Sequence, residues 1–373
     1  MNTVIEFIDY LNDGGAESLV RNYAEAMNPN VVSIIVLTLY SHKTSAAHKS
    51  ITEMGIPVIS LYPKRNFFFR AINKLFRRLI ITFFLKRKIA KLQPCAIHIH
   101  TSLLAYLEPI RDSLKNINLF YSCHVPPRLW FAENRKDLEA AKNLIRENKL
   151  QIIALHEEMA NELNQLLDIH NTIVLNNGIN INKYKTVKES RYEICKSINI
   201  PNNKYIVGHV GRFSKEKNHL FLLDIFNQLL KHIDAHLVLV GDRNDGPIFL
   251  AIKEKIKRLH LDKDITILSN RTDVNRIIQI FDVFLFPSLY ETFGLALLEA
   301  QAAGIRCVIS DTVPDRARVQ SKTIAVSLNK TAEYWCNIIL DENITQEHTA
   351  KLEEYDIFQV VKKLQTMYTK NTF

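Results

Sequence analysis

The chain has 373 residues, enough for about two domains that each bury a core, so a single small module is excluded. Hydrophobic residues make up 47% and charged residues 23%, with only 10 Gly and 11 Pro, which excludes long disordered, linker-rich or collagenous stretches. Lys and Arg total 48 against 39 Asp and Glu, and the resulting charge of +9 favours anionic partners: phosphorylated metabolites, nucleic acid or acidic lipid.

Short apolar runs alternate with longer helical patterns along the chain, as in parallel sheets built from βαβ units. Strands are predicted at 4–8, 31–37, 57–61, 96–100, 119–122, 152–155 and 173–175. The turn-forming run Asn176-Asn177-Gly178-Ile179-Asn180 then closes this series and places a domain boundary near Gly178. A second series is predicted at 205–210, 236–240, 265–268, 283–286, 307–310 and 324–327, followed by a closing amphipathic helix over 355–364. The expected architecture is α/β: two Rossmann-like, doubly wound parallel sheets, in domains 1–178 and 179–355, with a last helix over 356–373.

Uncharged runs such as 92–107 are interrupted by His98 and His100 and fall short of the roughly 18 apolar residues of a spanning helix. The opening Met1-Asn2-Thr3-Val4-Ile5-Glu6-Phe7 has no basic leader before a small-residue cleavage site, so no secretory signal is expected. Cys95, Cys123, Cys195, Cys307 and Cys336 are odd in number and never spaced Cys-x-x-Cys, which fits a reducing cytoplasm and no disulfide framework.

The charge is concentrated. Ten basic residues lie in 64–91, and no acid occurs from Met54 to Leu107. Phe68, Ile72, Leu75, Phe76, Leu79, Ile80 and Phe83 recur there at helical spacing, a pattern open to two readings. Such a helix can lie in an anionic membrane surface, or pack into a core with a solvated basic back.

The stretch Phe286-Pro287-Ser288-Leu289-Tyr290-Glu291-Thr292-Phe293-Gly294-Leu295 runs from a strand end through a turn to Gly294, which opens a helix that Gly304 ends. Amides at a helix N-terminus can hold a phosphate near Phe293, Gly294 and Leu295. On spacing alone, Glu291 also reads as an acid favoured by the helix dipole, and Glu299 as a solvated helix residue. Gly211-Arg212 follows the strand 205–210 and precedes Lys217, offering a forked and a mobile cation to a diphosphate. Gly14-Gly15 opens a helix after the first strand; two glycines let backbone approach a ligand. His100, His124 and His156 stand at strand ends, where a histidine can hydrogen-bond a ligand or be purely structural. Asp262-Lys263-Asp264 is formally an Asp-x-Asp, but at the entry edge of a strand, so it reads as a surface turn and no metal site is expected. No Gly-x-Gly-x-x-Gly follows any strand, so no nicotinamide cofactor, and no other cofactor, is expected.

Glu291-x7-Glu299 with Phe293-Gly294 between resembles the donor-site motif of the retaining GT-B glycosyltransferases of family four. Gly14-Gly15-Ala16-Glu17, Asn177-Gly178, Val210-Gly211-Arg212 with Lys217, and Leu239-Val240-Gly241 follow that family's order. Ser310-Asp311-Thr312-Val313-Pro314 is similar to members from capsular and exopolysaccharide clusters. The resemblance implies two domains facing across a cleft, with the last helix returning to the first domain. It further implies transfer of a sugar, with retention, from a nucleotide diphosphate sugar, a UDP-sugar, to a hydroxyl of a lipid-linked saccharide; with no metal site expected from the residues, this transfer is expected to be metal-independent. Arg212 and Lys217 would clamp the diphosphate. Glu291 would hold the donor sugar and Glu299 the ribose, while His124 would bind a donor or acceptor hydroxyl. Gly211, Asn270, Arg271, Thr292, Phe293, Gly294 and Leu295 would line the donor site, and Gly14, Gly15 and His100 the acceptor side. Asn218 and Asn270 stand where relatives carry Gly. The acceptor implies a peripheral protein on the inner face of the membrane, docked through 64–91, with no nucleic-acid partner. A GT-B-shaped epimerase or phosphorylase does not account for all these motifs together; a non-catalytic membrane-surface or nucleic-acid-binding protein would show the charge without the donor motifs.

Overall fold

In the computed structural model, which describes residues 2–11, 15–41, 45–62, 74–242 and 246–370, every predicted strand is present with its ends shifted by a few residues. The first sheet contains β1 (Asn2–Ile8), β2 (Val32–Tyr40), β3 (Val58–Tyr62), β4 (Ala96–Ile99), β5 (Asn118–Ser122), β6 (Gln151–Ala154) and β7 (Ile173–Val174). The second contains β8 (Tyr205–Val210), β9 (Ala235–Gly241), β10 (Ile265–Ser269), β11 (Val283–Phe286), β12 (Arg306–Ser310) and β13 (Thr323–Val326). The strands are runs of Val, Ile, Leu and Phe because helices cover both faces, leaving no solvated side for alternating polar residues. The chain divides into two compact units, Met1–Gly178 with Ile357–Phe373, and Ile179–Asp356.

The first unit holds the sheet β3-β2-β1-β4-β5-β6-β7, with parallel pairing throughout. Side chains alternate across the sheet, so Ile5 and Phe7 of β1 join one core, together with Ile81, Leu85 and Ile89 of the helix Lys74–Leu92. Val4 and Ile8 join the other core, under Leu19, Val20 and Tyr23 of the helix Gly15–Ala26. The closing helix, Ile357–Thr369, covers the same face with Ile357, Val360, Val361, Leu364 and Tyr368. Each such apolar side chain contributes about 1.5–3 kcal/mol on full burial, so this helix is an integral layer of the unit. The same alternation directs Glu6 into that second face, in register with His98 of β4, with no exposed surface.

The second unit holds the parallel sheet β10-β9-β8-β11-β12-β13. Phe284, Phe286 and Ile309 pack under Leu297 and Leu298 of the helix Leu295–Ala302. Val207, Leu239 and Leu285 pack with Leu222 and Phe226 of the helix His219–Leu229 and with Trp335. Strand order reverses between β1 and β4 in one sheet and between β8 and β11 in the other. Loops leaving the carboxyl ends of such strands diverge and open a crevice where ligands of doubly wound sheets bind. His100 follows β4, Gly211 follows β8, and the loop to Gly294 follows β11.

The basic segment is only partly within the described residues: Lys64, Arg65, Phe68, Arg70 and Ile72 lie outside them, as do the side chains of Lys74, Leu75 and Arg77. Two apolar stripes share the helix Lys74–Leu92. Ile81, Leu85 and Ile89 form the buried one, whereas Phe76 (65% exposed), Leu79 (60%) and Phe83 (56%), three members of the predicted stripe, face outward. Arg78 turns inward and donates from Nε and a terminal nitrogen to the carbonyl of Ala105 at 3.2 and 2.7 Å. Among the described residues no helix is long and apolar enough to cross a membrane.

Where the chain leaves the first unit, Gly178 packs directly against the start of the closing helix: a Cβ there would lie 2.8 Å from Ile357 Cα. Its carbonyl accepts from Asn22 Nδ2 at 3.1 Å. Gly178→Ala must therefore displace the closing helix. The expected loss is about 1–3 kcal/mol, read as a fall of at least about 2 °C in melting midpoint; an unchanged midpoint would contradict the close packing.

Candidate functional site

In the second unit, β8 ends at Val210 and the chain turns at Gly211, where a Cβ would come within 3.3 Å of the Lys217 side chain and 3.1 Å of His209 Nε2. Glycine here leaves the lysine its path. Lys217 ends a short 3-10 turn, and Asn218 after it takes the left-handed conformation at φ 53°. That is a backbone glycine adopts freely; Asn tolerates it because its short polar side chain can bond locally. Asn218 Nδ2 donates to the carbonyl of Pro287 at 3.1 Å, and the amide of Leu289 to the carbonyl of Glu216 at 2.7 Å. These bonds join the loop after β8 to the loop after β11. Lys217 Nζ consequently forms an ion pair with Glu291 Oε1 and lies 4.8 Å from the ring centre of Phe286. Both charges are largely buried, the side chains being 17% and 9% exposed. Arg212 is exposed, while Phe213 beside it is buried and donates its amide to Asp242 Oδ1 at 2.8 Å.

Gly294 has φ 92°, a conformation open to Gly at no steric cost, and forms the N-cap of Leu295–Ala302 without any side-chain cap. The first amides of this helix are left for an anion. Phe293 is buried beneath the turn, and Thr292 and Leu295 are partly exposed. The carbonyl of Ser288 accepts from Ser310 Oγ (2.6 Å) and Thr312 Oγ1 (2.7 Å), which fixes the preceding turn. Glu299 is 8% exposed, so the solvated-helix reading of that acid is set aside. Asn270, after β10, is likewise left-handed (φ 55°), its amide donating to the carbonyl of Gly241 at 2.9 Å. Arg271 is held by two bonds to Asp273, at 2.8 and 2.6 Å. Asp264 pairs with Lys204 at 3.0 Å at the entry end of β10, away from these loops.

In the first unit Gly14 lies outside the described residues, and Gly15 is the exposed first residue of the helix Gly15–Ala26. His156 caps the helix Glu157–Leu167, its Nδ1 accepting from the amide of Met159. His124 is partly exposed, and its Nε2 lies 3.0 Å from His100 Nδ1. His100 has no exposed surface, and its Nε2 lies 2.7 Å from Glu6 Oε2. Both its nitrogens are engaged, so His100 lies behind His124 and not on the exposed surface of the loop, which corrects its expected place on the acceptor side. Thr101, the next residue, has φ 101°, a strained value for a β-branched residue of the kind retained at functional sites.

Behind this pair Tyr368 donates to Glu6 Oε1 at 3.0 Å, His98 Nδ1 lies 2.6 Å from the Tyr368 hydroxyl, and His98 Nε2 lies 2.7 Å from Ser122 Oγ. Burial, then the imidazoles of His100 and His124, hold the His98 pKa well below its usual value. Burial and then Glu6 push up the phenols of Tyr23 and Tyr368. Glu6, His98 and His100 could offer donor atoms to an ion, but the 2.7 Å Glu6–His100 spacing is that of a hydrogen bond. Ligands on one ion at about 2.1 Å stand roughly 3 Å or more apart. Sequence reading missed Glu6, His98 and Tyr368, whose partners are up to 362 positions away.

The family model for glycosyl transferases group 1 matches residues 190–322, and that for glycosyltransferase family 4 matches residues 13–183. A Bacillus subtilis protein named for glycosyltransferase activity, EpsF, is 27% identical over 345 residues, 90% of this chain and 86% of its own. The capsular polysaccharide biosynthesis glycosyltransferase CapH of Staphylococcus aureus is 24% identical over 385 residues, spanning all of both chains. Anabaena HepE, solved in complex with UDP and glucose, has the same fold, with a TM-score of 0.76 at 19% identity over 98% of each chain. With two family models covering most of its length and this fold, the chain belongs to the group 1 (family 4) glycosyltransferases of GT-B architecture.

Proposed function

We propose that this glycosyltransferase transfers a sugar from a UDP-sugar to a hydroxyl of a lipid-linked saccharide in capsular or exopolysaccharide assembly, with retention and without a bound metal. The observation that carries the reading is the ion pair of Lys217 with Glu291 beside the uncapped N-terminus at Gly294. Of these groups, the Lys217 ammonium and the positive end of the helix would face the charge of a departing diphosphate, while Glu291 fixes the place of the ammonium. In the reaction the bond between the sugar's anomeric carbon and the diphosphate oxygen breaks as the acceptor oxygen attacks the same face. The acceptor's proton passes to the leaving phosphate. Lys217, Arg212 and the amides at Phe293, Gly294 and Leu295 meet the charge that develops. Glu291 is already engaged by Lys217, which suits a ligand for the donor sugar's hydroxyls better than a nucleophile. Glu299 takes the ribose hydroxyls, Gly211, Asn270, Arg271 and Thr292 line the nucleotide, and His124 bonds a donor or acceptor hydroxyl. Metal independence is supported by Asp262 and Asp264, which stand at the entry end of β10, with Asp264 tied to Lys204.

Lys217→Ala and Arg212→Ala are expected to cost about 100-fold in kcat with the fold intact. Glu299→Ala should mainly raise the donor KM and weaken UDP binding, and EDTA should leave activity unchanged. Donor-panel turnover with extracted lipid-linked saccharides measures all of these; wild-type kcat in the lysine and arginine variants, or rescue of chelated enzyme by Mg or Mn, would contradict the reading.

The exposed stripe Phe76, Leu79, Phe83 and Phe84, beside exposed Lys86, Arg87 and Lys91, supports docking on an anionic membrane at the inner face of the cell. Arg78 is excluded from that surface by its bonds to Ala105. Lys86→Glu, Arg87→Glu and Lys91→Glu together should abolish co-flotation with anionic vesicles while leaving UDP binding intact, and Leu79→Ser with Phe83→Ser should remove the part of binding that survives high salt. Equal flotation of wild-type protein with neutral and anionic vesicles would refute the docking.

A further inference from the structure

We infer that Glu6 and His100 are positioning residues that fix His124 as the neutral Nδ1–H tautomer, so that His124 meets a substrate hydroxyl as a hydrogen-bond donor and not as a base. This rests on the reading of His124 as a hydroxyl ligand and adds what sets its proton.

The hydrogen bonds assign the protons one at a time. The Tyr368 hydroxyl donates to Glu6 Oε1, so its oxygen accepts from His98 Nδ1–H at 2.6 Å. His98 is neutral, which leaves its Nε2 bare to accept from the Ser122 hydroxyl at 2.7 Å. The remaining oxygen of Glu6, Oε2, takes the Nε2 proton of His100 at 2.7 Å. A carboxylate with no exposed surface needs a countercharge, and the ion-pair partners of Glu6 among the described residues are these two imidazoles. His98 being neutral, the cation is His100. An imidazolium carries hydrogen on both nitrogens, so His100 Nδ1–H donates to His124 Nε2 across 3.0 Å. Burial and the charge of His100 push the His124 pKa down to about 3, so its ring holds one proton, and that proton is on Nδ1. The cluster draws on β1 (Glu6), β4 (His98 and His100 just beyond its end), β5 (Ser122), the helix Gly15–Ala26 (Tyr23) and the closing helix (Tyr368), and each bond in the chain constrains the next.

Selective 15N labelling of histidine with long-range proton–nitrogen correlation reads the tautomers in the unmodified protein at neutral pH. The expected spectrum has His124 protonated on Nδ1 alone and His100 on both nitrogens; a His124 proton on Nε2, or a neutral His100, overturns the proposal. Glu6→Gln removes the countercharge, so His100 should become neutral and His124 should switch to Nε2–H, with kcat falling about 10-fold or more, the worth of one misdirected hydrogen bond. UDP affinity should stay within about twofold. In a His124→Ala background the added loss from Glu6→Gln should vanish, whereas an undiminished loss means Glu6 acts through the fold and refutes positioning. If Glu6→Gln does not fold, the wild-type spectrum still decides. His124→Ala with full activity would instead sink the ligand reading of His124, a failure separate from that of the tautomer.

Discussion

Helices on both faces of a parallel sheet leave polar groups little place except at the strand ends, and this constraint organises both units. It makes the strands nearly continuous apolar runs and sends the chemistry to the carboxyl ends of β1, β4, β8 and β11, where the winding direction reverses. Lys217, Glu291 and Gly294 gather there in one unit; in the other His100 lies just beyond β4, with His124, just beyond β5, beside it. Glu6 is the exception: a charge in the middle of β1, inside the layer. Burying a carboxyl group is costly unless its oxygens find donors, and the bonds from His100 and Tyr368 supply one to each oxygen.

Much of this was legible in the residues. All thirteen strands could be read because burial on both faces gives them strand-length runs of Val, Ile, Leu and Phe. Gly294 could be singled out as the start of a helix after a strand, and Lys217 and Glu291 because they match the ordered motifs of the family the sequence resembles. Glu6 could not, since one acid in a short apolar run looks like a strand residue facing water, and its partners lie 94 and 362 positions away. Asn218 and Asn270 looked like departures from the family's glycines, yet both hold the left-handed backbone that glycine would supply. In the basic helix, periodicity picked out the stripe of Phe76, Leu79 and Phe83, but with two apolar stripes a few residues apart, spacing could not say which faces the core. The β-sheet neighbours decide it, by receiving Ile81, Leu85 and Ile89.

The membership of the closing helix has a consequence for how the protein is made. Residues 357–369 complete the core of the first unit, but a ribosome adds them only after all of residues 179–356. The second unit is continuous in sequence and can fold as soon as it emerges, whereas the first must wait with Val4, Ile8 and Tyr23 uncovered on one face and with Glu6 lacking the Tyr368 hydroxyl. Such long-range closure slows folding, because chain entropy is lost before the final contacts repay it. Exposed apolar surface in the waiting state also invites aggregation. Completion of the buried hydrogen-bond chain thus follows synthesis of the entire second unit, and the histidine cluster gains its full order only after that.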